Sequence, residues 1–171
     1  MKRLSLLLAL LLLAGPLPGG QYYLKLGNIK GEVTMAPFKD EIAVNSLQFG
    51  VLLPASSTGS GGQTAPPQFS ELTVTKVLDR ASPLLLLACA QGTNISSATL
   101  TAVEPAGATN RIYYQIVLSN VLVTSVSQSG GGDRPTESVA LNYTHILWKY
   151  FPSNQSSITT GWDLITQTPL P

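Results

Sequence analysis

The sequence predicts a mainly β (α+β) domain, a β-barrel or sandwich of about seven strands with one short flanking helix. Three observations carry that reading. Apolar and polar residues alternate along most of the chain, which is the period of a strand with one buried face. Only the block from Ser82-Pro83 to Gly92 has the start and stop residues of a helix. The segment from Arg111 to Ser127 is extended throughout, and at ~3.3 Å per residue it reaches roughly 55 Å, far beyond an ordinary strand. Such a strand must bend across two sheets or close a barrel.

Taken in order, the first strand puts Tyr22, Leu24 and Leu26 on one face and Tyr23 and Lys25 on the other, and Gly27-Asn28 ends it. From Glu41 to Val51 the alternation begins as Ile42 and Val44, then changes phase to Leu47, Phe49 and Val51. A phase change inside one strand predicts a bulge or bend. Pro54 to Gln68 holds Gly59, Gly61, Gly62, Pro66 and Pro67 and almost no large apolar residue, the composition of a long exposed loop. A strand from Phe69 to Leu78 then leads into the helix, with Ser82 expected as N-cap, Pro83 at the first helical position and Gly92 as C-terminal cap. Leu84 to Ala90 is apolar on all sides, so the helix is expected to pack on more than one flank.

Beyond it, a strand from Ile95 to Val103 and a turn from Glu104 to Asn110 precede the long segment. A polar loop containing Gly130, Gly131, Gly132, Asp133 and Arg134 follows. One strand is then expected from Glu137 to Phe151, with Val139, Leu141, Tyr143, His145 and Leu147 on a common face, and a last short one around Gly161 to Leu164.

The 171 residues are 44 % hydrophobic and 11 % charged, which excludes a disordered, highly charged chain. Residues 1–20 read as a secretory signal peptide: Lys2-Arg3, an apolar run from Leu4 to Ala14, then Gly15, Pro16, Pro18, Gly19 and Gly20. The run is far shorter than the ~20 residues that span a bilayer, so no stable membrane insertion is expected. Residues 21–171 form the single expected domain, secreted or periplasmic. Without Lys2 and Arg3 the ten basic residues fall to eight against nine acidic, a net charge of −1. Nothing there offers a footprint for nucleic acid. Cys89 is the only cysteine; it makes no internal disulfide, and its apolar flanks suggest burial.

Catalytic candidates are few. His145 is the only histidine, and a triad would have to combine a serine with it and with Asp133 or Asp163. No Gly-x-Ser-x-Gly elbow is present, and one His with one Cys makes none of the usual zinc sites. The glycine loops match no phosphate-binding pattern. The expectation is a protein with no catalytic residue, cofactor or metal.

The ordered features resemble one family, the haemolysin-coregulated protein, Hcp, whose members build the inner tube of type VI secretion systems. Tyr23-Leu24-Lys25-Leu26-Gly27-Asn28-Ile29-Lys30-Gly31-Glu32 looks like its first strand. Thr75-Lys76 through Asp79 to Ser82-Pro83 is similar to its Thr-Lys-x-x-Asp-x-x-Ser/Thr-Pro junction into the helix. Leu118 to Ser127, Gly130 to Pro135 and Thr136-Glu137-Ser138-Val139-Ala140-Leu141 match its strand, glycine loop and following strand, and Gly161-Trp162-Asp163 its closing strand. The resemblance covers about residues 22 to 165.

It implies a closed β-barrel-like subunit with one flanking helix, a homo-hexameric ring, rings stacked into a tube, and small effector proteins carried in the lumen. By the same resemblance, the loop with Pro54, Gly59, Gly61, Gly62 and Gln68 is the candidate contact between stacked rings. Gly130, Gly131, Gly132, Asp133 and Arg134 form the second candidate. Two features depart from the pattern. Pro135 replaces the usual Leu after Asp-Arg, and tube subunits carry no cleaved signal. The signal leaves an alternative open, an exported Hcp-like binding module that is not part of a contractile tube.

Overall fold

The computed structural model describes residues 21–54, 65–106, 109–131 and 133–170. The expected signal peptide, Gly59, Gly61, Gly62 and Gly132 lie outside the described residues. Strand β1 (Gln21–Leu26) lies between β2 (Ile42–Val44) and the long β7 (Asn94–Ala106), antiparallel to both. The chain turns at Asn45, whose N–H donates to the Thr75 carbonyl at 2.8 Å. It continues as β3 (Ser46–Gln48), which pairs not with β1 but with β6 (Leu72–Val77). This is the bend that the phase change predicts.

From β6 the ladder passes to β9 (Thr136–Asn142), to β8 (Thr109–Ser129), to β7 and back to β1, so the circuit of pairings closes. The 21 residues of β8 make this possible. Its second half, from Leu122 to Ser129, pairs with β9. Its first half pairs with β10 (His145–Tyr150), which carries β11 (Ile158–Asp163) and the edge strand β12 (Thr168–Leu170). The switch falls at Asn120, with φ 50°, and a register shift follows between Val123 and Ser125. Positive φ and an extra residue both bend a strand and re-aim its faces.

The described residues hold twelve strands, more than the seven or so expected. Three expected strands are broken: the one from Glu41 at Asn45, the one from Phe69 at Ser70-Glu71, and the one from Glu137 at Tyr143-Thr144. The last break corrects the placement of His145. Val139, Leu141 and Tyr143 face the core, but parity changes at Thr144, so Ile146 is buried and His145 lies on the opposite, half-exposed face. β12 was not anticipated, because Thr168-Pro169-Leu170 is too short to show a period.

Leu24, Leu26, Ile42, Leu72, Leu100, Leu118, Leu141 and Ile146 fill the barrel, each 0–1 % exposed. A bulge between Ala102 and Val103 turns Val103 into a second cluster with Tyr23 and Phe38, whose rings stack at 4.3 Å. A side chain at Gly31 would run into the backbone of Glu41, so only glycine lets the β1–β2 connection pass there.

The helix α1 (Ser82–Gln91) begins one residue earlier than expected. Ala81 is the N-cap, and Ser82 lies inside the first turn, 2 % exposed, with its hydroxyl turned to Glu137 rather than to a helix N–H. Gly92 caps the other end at φ 60° as expected. Only Ser82, Leu85 and Ala88 are buried. Leu84, Leu86 and Leu87 are 47, 41 and 51 % exposed, which corrects the expectation of packing on more than one flank. An all-apolar helix reveals that its surface wants cover, not whether one chain can supply it. Cys89 is half-buried, packed against the core.

Candidate functional site

Of the first candidate loop, Pro54 and Gln68 are described. Val51–Leu52 (β4) and Gln68–Phe69 (β5) form a separate two-stranded ribbon, and the Ala65 N–H donates to the Pro54 carbonyl at 3.1 Å, closing the neck of the loop. At the ribbon's base, the Gly50 N–H donates to Ser70 Oγ at 2.8 Å, the Ser70 N–H to the Gly50 carbonyl at 2.9 Å, and Tyr143 OH to the Ser70 carbonyl at 2.9 Å. Burial pushes the Tyr143 phenol well above its ordinary range, so it stays a donor. Phe49 and Phe69 pack on Trp148 at 6.1 and 6.2 Å between ring centroids, and Phe69 on Trp162 at 6.1 Å. The ribbon is thus rooted in aromatic rings while Val51, Leu52 and Leu53 point away, 50, 61 and 53 % exposed.

The second candidate loop joins β8 to β9, with Gly130, Gly131, Asp133 and Arg134 exposed. Its base is held by charge. The Lys76 ammonium, 1 % exposed, meets Glu137 Oε2 at 2.7 Å, Asp79 Oδ1 at 2.8 Å, the Val77 carbonyl at 2.8 Å and Ser82 Oγ at 3.1 Å. Ser82 donates to Glu137 Oε2 at 2.5 Å and Gln128 to Glu137 Oε1 at 2.7 Å. Burial pushes the Glu137 carboxyl up, but the hydrogen bonds from Lys76, Ser82 and Gln128 outweigh it and hold the group below the usual carboxylate range. The Leu78 N–H donates to the Pro135 carbonyl at 2.9 Å, tying the end of β6 to the loop.

The two loops are not brought together. β6 and β9 pair from Leu72↔Leu141 to Val77↔Thr136. The ribbon leaves the Leu72 end of that ladder and the glycine loop the Val77 end. Five steps of ~3.3 Å put the two ends roughly 17 Å apart.

The catalytic candidates form a structural cluster. His145 Nε2 is 3.4 Å from Asp163 Oδ2, and its Nδ1 is 2.7 Å from the Thr144 hydroxyl, which also accepts from Asn120 Nδ2 at 3.0 Å. Asp163 Oδ1 accepts from the N–H groups of Ile165 and Thr166, and the Thr166 backbone bond leads the causes that lower its pKa. These contacts fasten β8, β10 and β11 where the strand bends. Asp133 lies in the distant glycine loop. Among the described residues no group of three or more His, Cys, Asp and Glu could hold a metal ion, and no helix is long and apolar enough to cross a membrane.

A barrel of antiparallel strands with one short helix agrees with what the chain is similar to. The family described as type VI secretion system effector, Hcp, matches residues 23–150. The chain belongs to the Hcp family. It is 35 % identical over 143 residues to the Protein hcp1 of Pseudomonas aeruginosa, covering 81 % of this chain and 88 % of that one. A solved type six secretion system protein superposes with a TM-score of 0.81 at 30 % identity, over 88 % of this chain and 99 % of the other. Hcp1 from Salmonella typhimurium gives 0.75 at 26 %, over 90 and 100 %. Like its Hcp relatives, the protein is a structural component of the type VI tube kind.

Two exposed apolar patches escaped the sequence. One is the leucine face of α1, although a helix lacking any charged residue was a signal that could have found it. The other is the apolar tip at Val51 to Leu53, which straddles the expected end of the bent strand at Val51 and the loop from Pro54.

Proposed function

We propose that this Hcp chain forms homo-hexameric rings that stack into a tube, with small effector proteins as the lumenal cargo. The observation that carries the reading is the placement of the two candidate loops at opposite ends of the β6–β9 ladder. A stack of identical rings needs two different, complementary faces, because a head-to-tail contact joins unlike surfaces. The Pro54 to Gln68 loop, with Gly59, Gly61 and Gly62, supplies one face, and Gly130 to Arg134 the other. Such work is mechanical and calls on no catalytic residue, cofactor, metal or nucleic acid.

Residues 1–20 act as a cleaved signal peptide, and residues 21–171 are the mature domain, secreted or periplasmic. The apolar run from Leu4 to Ala14 also favours a second reading, an exported Hcp-like binding module working outside a contractile tube.

Electron microscopy of the chain from Gln21 separates the two. Rings seen end-on and stacks seen side-on are expected, while a field of single subunits leaves the exported module. Gly61→Asp and Gly131→Asp are expected to keep the rings and shorten or abolish the stacks. A side chain added at Gly131 meets no atom within 4 Å, so that change is not expected to disturb the fold.

A further inference from the structure

The connection from β1 to β2 folds back on itself before β2 begins. The Gly31 N–H donates to the Asp40 carbonyl at 2.8 Å, the Asp40 N–H to the Val33 carbonyl at 2.8 Å and the Val33 N–H to the Glu41 carbonyl at 3.2 Å. Together with the end of β1 this connection lines a pocket of about 460 Å³, within the size range of small-molecule sites. Lys25, Lys30, Lys39, Asp40 and Glu41 are among its lining residues, three ammonium groups against two carboxylates. Asp40 is already occupied. Its Oδ2 accepts from Lys30 Nζ at 3.2 Å and its Oδ1 from the Arg80 guanidinium at 2.9 Å. The side chains of Lys25 and Lys39 make no hydrogen bond or ion pair among the described residues. Glu41 is incomplete as well. Its Oε2 is buried and accepts no hydrogen bond, and Lys25 attracts the carboxylate only from beyond ion-pair distance. Buried polar atoms are nearly always hydrogen-bonded, so this oxygen marks an acceptor that lacks its donor.

We infer that this pocket binds a phosphate that keeps an O–H, with its anionic oxygens toward the Lys25 and Lys39 ammoniums and its O–H donated to the Glu41 carboxylate. The lysines alone would take any small anion. Glu41 narrows the choice, because an ionised carboxylate only accepts hydrogen bonds. It would meet sulfate, or a second carboxylate, oxygen to oxygen and with like charge. Near neutral pH inorganic phosphate carries both charged oxygens and at least one O–H, so it satisfies the ammoniums and the carboxylate together. A ligand bearing its own ammonium could supply a donor to Glu41 but would face three like charges. The pocket also leaves room for the remainder of a phosphate ester beside the ion. All of these groups come from one subunit, so the site does not depend on the ring.

Calorimetric titration of the chain from Gln21 at pH 7, with inorganic phosphate and with sulfate, tests the site. Phosphate is expected to bind about tenfold more tightly than sulfate, the weight of one charge-assisted hydrogen bond. Lys25→Gln with Lys39→Gln is expected to abolish binding of both ions. Glu41→Gln is expected to bring sulfate level with phosphate, because a neutral amide offers an N–H to either. Unchanged circular dichroism confirms that each variant folds. Glycerol 3-phosphate separates the sources at pH 6, near the second pKa of about 6 at which roughly half of a phosphate ester keeps its O–H. Binding at least as tight as that of inorganic phosphate makes an ester the ligand, and weaker binding leaves the free ion. Absence of binding by phosphate, equal affinity for phosphate and sulfate in the unaltered chain, or a preference that survives Glu41→Gln would overturn the site.

Discussion

The two ends of the β6–β9 ladder are held by opposite chemistry. At the Val77 end a buried lysine and carboxylate share one network with Ser82, Gln128 and Asp79. At the Leu72 end Phe49, Phe69, Trp148 and Trp162 supply apolar rings, with the Tyr143 hydroxyl as polar anchor. The ionic end is directional: it fixes where the helix starts and where the glycine loop leaves, and losing one partner strands a buried charge. The aromatic end is less directional, since its rings pack by shape around a ribbon whose tip is exposed. A tube subunit gains from that division if one face must be rigid and the other must fit a neighbour.

The largest expected effect breaks the ionic end. Glu137→Ala leaves the buried Lys76 with Asp79 as its remaining carboxylate and strips Ser82 and Gln128 of their acceptor, which should cost about 3 kcal/mol by urea unfolding, the low end for breaking a buried pair. Lys76→Met with Glu137→Leu should recover part of that loss, because an apolar pair of similar volume carries no desolvation penalty while Asp79, deprived of its lysine, keeps the Ala81 N–H. Equal damage from the double change would mean that the network's geometry, not its charge balance, holds the helix. At the aromatic end Phe69→Ala is expected to cost about 2 kcal/mol, reflecting a half-buried ring.

Acid should separate the ends further. The Glu137 carboxyl has a folded pKa below its unfolded value of about 4.3, so its stabilisation is complete above that pH and is lost as pH falls through the folded value. The urea midpoint of the native protein should therefore fall below about pH 4, a loss that Phe69→Ala retains. The Lys76→Met, Glu137→Leu chain should lose Glu137's share of that slope. Smallest of all, Leu52→Ser should change stability by no more than about 0.5 kcal/mol, as an exposed site does, while weakening assembly. A large loss of stability would place Leu52 in the subunit's own core.

Much of the barrel was legible because alternation reports burial directly. Tyr22 to Leu26, Leu72 to Val74 and Val139 to Leu141 carry their inward faces in the sequence, whereas the inward lysine at position 76 breaks the alternation. Partner choice is another matter. Nothing in Ile42 to Gln48 says that the chain leaves β1 for β6 at Asn45, since both neighbours ask for the same apolar face. The parity change at Thr144 was hidden for the same reason, and it moved His145 off the core face. Ser82 had two possible uses, as a cap or as a partner for Glu137, and only the fold brings Glu137 within reach. The candidate loops were legible as glycine- and proline-rich segments. Their placement at opposite ends of one ladder depends on register, which composition does not encode.

The most direct test of the central claim is the solution mass of the chain from Gln21, by light scattering after size exclusion. Six subunits, or multiples of six as rings stack, is the expected result. A single subunit across micromolar concentrations would contradict it, and the protein would then be an exported module that keeps the Hcp barrel without its tube.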